Sequence, residues 1–68
     1  MMRTLIVVDP LNVDALLSSF ENAHKLLEPV EIAGANLLLI HAQQLTKHDL
    51  DIAYLCTQSG INLSLHVG

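Results

Sequence analysis

The sequence predicts a small α/β domain, two or three layers deep, on a three-stranded and mainly parallel sheet wound in the order strand, helix, strand, helix, strand. Three observations predict it. Thr4-Leu5-Ile6-Val7-Val8 and Leu37-Leu38-Leu39-Ile40 are continuous apolar runs, the mark of strands covered on both faces. Each run is followed by a stretch whose apolar residues recur at helical spacing. The chain then closes on Ile61 to Val67, where apolar and polar residues alternate strictly, as in a strand with one polar face.

The first strand, Thr4 to Val8, is closed by Asp9-Pro10, because proline removes a backbone donor and restricts the residue before it. From Val13 onward Leu16, Leu17, Phe20, Ala23 or His24, and Leu27 form one helical stripe, with Asn12 placed to cap its start and Pro29 to stop it. The opposite face carries Asp14, Ser18, Glu21, Lys25 and Glu28, and Glu21 with Lys25 has the favourable i to i+4 order. Solvent is expected on that side. Glu31 to Asn36, with Gly34, reads as a connection. The run from Leu37 to Ile40 follows as the central strand, ahead of polar His41.

Thr46-Lys47-His48-Asp49 is a capping box with Asp in place of the usual Glu, so a second helix is expected from near Lys47 to near Gln58, with Ser59-Gly60 as its stop. Its apolar residues Leu50, Ile52, Ala53, Tyr54, Leu55 and Cys56 spread wider than one core-facing stripe requires. Parallel strands joined by right-handed crossovers permit the strand order 1-2-3, with both helices on one face, or 2-1-3, with one helix on each. Leu5, Val7, Leu16, Phe20, Leu38, Ile40, Ala53 and Leu63 are the expected core.

Sixty-eight residues make a single domain that buries only about 60% of the surface its unfolded chain exposes. Hydrophobic residues are 51% of the chain and aromatics 3%, so the chain is too apolar to be disordered and must fill its core with Leu, Ile, Val and Ala. The formal net charge is −4, with Arg3, Lys25 and Lys47 the cations, which argues against nucleic acid as a partner. Cys56 has no second cysteine to pair with and lies in an apolar stretch, the setting of an inert buried thiol. The apolar run after Arg3 is too short to be a signal-peptide core or to span a bilayer. These features together lead to the expectation of a cytoplasmic protein without a membrane partner.

No motif names an activity. Ligands gather at the carboxyl ends of parallel strands, where Asp9 and His41 are expected to stand, with His48, Asp49 and Asp51 close by. Asp9, His41 and Asp49 are therefore the candidate catalytic residues, an acid and base set. The structural alternative makes Asp9 a turn residue and Asp49 a helix cap. No histidine pair has zinc spacing, no glycine-rich loop follows the first strand, and no serine has a histidine at a defined distance. Neither a metal nor a cofactor is expected.

Two families share parts of this pattern. Leu5 to Asp9, the helix after it and Leu37 to His41 resemble the first strand-helix-strand unit of universal stress proteins over about half of the chain, without their glycine-rich nucleotide loop. From Asn12 onward the order of elements is similar to the core of anti-sigma-factor antagonist (STAS) domains. There a serine at the start of the second helix is the phosphorylation switch; the matching stretch here is His48-Asp49-Leu50. Both resemblances follow from shared strand-helix-strand grammar, and neither family's activity is carried over.

The expectation that remains is a non-enzymatic module for protein interaction or assembly, regulatory in role, which self-associates or docks on a larger protein. A two-fold homo-oligomer is the commonest solution. The interface is expected at Tyr54 and Leu55 on the second helix and at Leu63 and Leu65 on the last strand, whose edge needs cover at the end of so small a domain. A small-ligand or catalytic unit built on the strand-end Asp/His set is the rival.

Overall fold

The computed structural model describes residues 2–21, 23–57 and 63–67. Its elements are β1 (Arg3–Val8), α1 (Val13–Glu21), β2 (Leu26–Ile32), β3 (Ala35–Ala42), α2 (Lys47–Thr57) and β4 (Leu63–Val67). The four strands form one sheet in the order β2-β3-β1-β4, and every neighbouring pair is antiparallel. This is the split β-α-β, ferredoxin-like arrangement, in which the two strands joined by each helix are separated by a strand antiparallel to both.

The expected three-stranded parallel sheet is therefore corrected, and with it both candidate strand orders. The cause lies between Lys25 and Asn36. The expected long first helix stops at Glu21: the Ala23 N–H donates to the Phe20 carbonyl at 3.0 Å, and His24 takes a left-handed φ of 55°, the conformation that terminates helices. Leu26 to Ile32, read from sequence as helix end and connection, is an edge strand, where Pro29 is tolerated because its missing N–H points away from the sheet. Ile32 pairs with Ala35, so Ala33-Gly34 is a two-residue hairpin loop rather than part of a crossover. Both its residues have positive φ, 51° and 81°, as a type I′ turn demands. Because β3 returns antiparallel beside β1, the unit of adjacent parallel strands that the first resemblance implies is not formed; the parallel pairs are β1 with β2 and β3 with β4, each separated by an intervening strand.

An alanine in the left-handed region costs about 1 kcal/mol, and Asn-Gly is the preferred pair in this turn. Ala33→Asn is expected to raise the thermal midpoint by about 4 °C, read by circular dichroism.

The helix starts match the sequence reading. The Ala15 N–H donates to Asn12 Oδ1 at 3.0 Å, capping α1, and α2 begins at Lys47 behind Thr46. The expected stop Ser59-Gly60, and Gln58, Ile61 and Asn62, lie outside the described residues. Both helices cover one face of the sheet. Leu5, Val7, Phe20, Leu38, Ile40 and Ala53 are buried there with Ala42, Leu45 and Cys56, and Leu16, Leu17, Leu27 and Ile52 pack against them. Of the expected core only Leu63 is untested, since its side chain lies outside the described set.

Among the described residues no helix lies over the opposite face of the sheet. Alternation and register place Ile6 and Val8 of β1, Leu37 and Leu39 of β3, and Leu26, Val30 and Ile32 of β2 on this side. Leu26 and Ile32 are exposed and the others half-buried. No helix among the described residues is long and apolar enough to cross a membrane.

Candidate functional site

The antiparallel sheet decides where the expected catalytic set falls. Asp9 follows β1, and its N–H donates to the Asn36 carbonyl at 2.6 Å while its Oδ1 accepts the Asn36 N–H at 3.1 Å. It closes the ladder just past the Val8 and Leu37 pair, with a left-handed φ of 53° that aspartate tolerates better than most residues. His41 stands opposite Thr4, at the other end of the same two strands. About five residues of strand, roughly 17 Å, separate Asp9 from His41. The structure does not bring them together, because the carboxyl ends of antiparallel neighbours point opposite ways.

Asp49 lies beneath the sheet in a separate group. It is 1% exposed and completes the expected capping box: its Oδ2 accepts the Thr46 N–H at 2.6 Å and the Thr46 hydroxyl at 2.9 Å, while the Asp49 N–H donates to Thr46 Oγ1 at 3.3 Å. The same oxygen meets the Lys25 ammonium in an ion pair whose side chains are 1% and 8% exposed. Lys25 also lies 5.5 Å from the centroid of the Phe20 ring, within cation-π range. Asp49 Oδ1 has no hydrogen-bond partner among the described residues. Burial pushes the Asp49 carboxyl up, but hydrogen bonds from Lys25 and Thr46 and the Lys25 charge outweigh it and hold the group below its ordinary range. The pair ties the start of α2 to the strand entering at Leu26. Sequence reasoning placed Lys25 on a solvent face; nothing local marks its partner, 24 positions away.

His41 belongs to a third group, on the uncovered face. Its Nδ1 is 2.9 Å from Thr4 Oγ1 and its Nε2 is 3.4 Å from Glu28 Oε2. With the proton on Nε2, the Thr4 hydroxyl donates to Nδ1 and the ring donates toward Glu28. Hydroxyl, imidazole and carboxylate stand in the order of a nucleophile, its base and an orienting acid. Thr4, however, sits in a strand paired on both sides, so the neighbouring N–H groups are spent on the ladders and none converges to stabilise an oxyanion. The arrangement satisfies a half-buried histidine. No group of three or more metal-ligating side chains occurs among the described residues, and burial pushes the Cys56 thiol up, away from the reactive thiolate.

The expected interface residues are at the surface where the structure describes them. Tyr54 is 61%, Leu55 62% and Leu65 49% exposed, and Leu63 is placed only through its backbone, opposite Val7. Leu55 borders an apolar groove between the helices, with Leu11, Leu16, Ile52 and Cys56. Sequence reasoning also allows for an uncovered sheet face, in the arrangement with both helices on one side; what it misses is that the edge strand β2 contributes Leu26, Val30 and Ile32 to that face. Comparison of the chain with protein-family models, with curated proteins and with solved structures finds no match in any of the three.

Proposed function

We propose that this chain is a non-enzymatic assembly module that acts by self-association, in the cytoplasm, with protein rather than nucleic acid or membrane as its partner. The observation that carries this reading is the face of the sheet opposite the helices, where Ile6, Val8, Val30, Leu37 and Leu39 have no layer above them among the described residues. A stable domain packs at least two layers around its apolar surface, and a contiguous apolar patch of this kind marks an interaction site. The cations support the exclusion of nucleic acid: of Arg3, Lys25 and Lys47, Lys25 is already engaged by Asp49 in the interior.

Sedimentation over a concentration range tests the reading. The expected result is a species heavier than the 7.4 kDa protomer at micromolar concentration, with a thermal midpoint that rises with concentration by mass action. A chain that stays monomeric throughout, and binds a small ligand that His41→Ala releases, would overturn it in favour of the Asp/His site.

A further inference from the structure

We infer that two copies of this chain meet through the uncovered faces of their sheets, packed face to face about a two-fold axis. The inference rests on the self-association reading and adds the surface and the partner.

The face is built like the inside of an interface. Ile6 and Leu39 are direct cross-strand partners at its centre. Val8 and Leu37 flank them along the strands, and Val30 stands opposite Leu37 on β2. Polar groups stand at one end of the two central strands, Thr4 with His41, and on the two edge strands, Glu28 of β2 opposite Leu39 and Ser64 of β4 opposite Ile6. An apolar centre inside a polar rim is the anatomy of a protein interface, and sheets pack well through such faces at about 10 Å separation.

Charge selects the occupant. The chain carries −4, yet the strand register puts only one of its carboxylates, Glu28, on this face, with His41 beside it at 3.4 Å, and no lysine or arginine. Two copies that approach this way escape the repulsion that their other surfaces impose. A partner recognised by charge would find almost nothing here to read, whereas an identical apolar face finds its complement.

Area agrees. Four strands spaced about 4.8 Å apart and about six residues long offer roughly 400 Å² of projected sheet per copy. With side-chain relief the pair buries on the order of 1,000 Å², the lower end of specific interfaces.

The test compares variants on this face with variants on the other exposed apolar residues, by sedimentation at a concentration where the unmodified chain is dimeric. Leu39→Asp sets two carboxylates against each other across the axis and is expected to weaken association at least a hundredfold. Val30→Glu, nearer the margin and less exposed to a folding defect, should weaken it at least tenfold. Circular dichroism checks that each variant is folded. Tyr54→Glu and Leu65→Glu should leave the dimer intact. If those two abolish the dimer and a folded Val30→Glu does not, the face is wrong and the assembly reading survives on the helix and strand edge. A monomeric unmodified chain would overturn both.

Discussion

Truncation of Phe20 to alanine is expected to unfold the domain. Phe20 is 0% exposed, the largest side chain in the core and the one through which α1 grips the sheet. Removing a buried phenyl ring costs about 3 to 5 kcal/mol, and a domain of this size has a total stability of roughly 3 to 10 kcal/mol. Urea unfolding followed by circular dichroism reads the loss. Phe20→Leu, which keeps most of the volume, should stay folded. A Phe20→Ala variant that melts close to the unmodified chain would show that α1 does not pack as described.

Asp49→Ala is expected to do comparable damage by another route. It leaves the Lys25 ammonium, 8% exposed, without its counter-charge, and breaking a buried pair from one side costs about 3 to 5 kcal/mol. It also removes the side-chain half of the α2 capping box. Replacing both partners together, Lys25→Met with Asp49→Leu, should cost clearly less, because no charge is then stranded. The pair has a pH signature as well. The Asp49 carboxyl is held below its ordinary value of 3.8, so its contribution to stability is present above that value and is lost as pH falls through the lowered one. Acid unfolding curves should therefore show a destabilising limb below about pH 4 that the double variant lacks. An identical acid limb in both would contradict the assignment.

How much of this was legible in the sequence depended on how local each signal was. Asn12 and the Thr46 to Asp49 box are complete within four residues, and both helix starts were found. The inward residues of β1 and β3 were found because apolar runs declare a core whichever way the strands run. The direction of the strands was another matter. Leu27 happens to continue the spacing of Leu16 and Phe20, and Pro29 reads as a helix stop, so an edge strand was absorbed into a helix and a hairpin into a crossover. Once that happened, Asp9 and His41 fell at one end of an imagined parallel sheet. The two-faced apolar character of Leu5 to Val8 and Leu37 to Ile40 points in sequence to strands of a parallel sheet, but the two strands are antiparallel neighbours with helices over one face.

Pro29 has a consequence for whether further strands can add to the sheet. A sheet that is not closed has two rims, and a rim with all its donors in place is a template on which further chains add without limit. In this molecule the β2 rim lacks one amide hydrogen at Pro29 and carries the carboxylates of Glu28 and Glu31 on either side of it. An incoming strand there finds a missing bond at the middle of its path and two negative charges around it. Strand addition is thus disfavoured along the β2 edge of a strongly apolar chain.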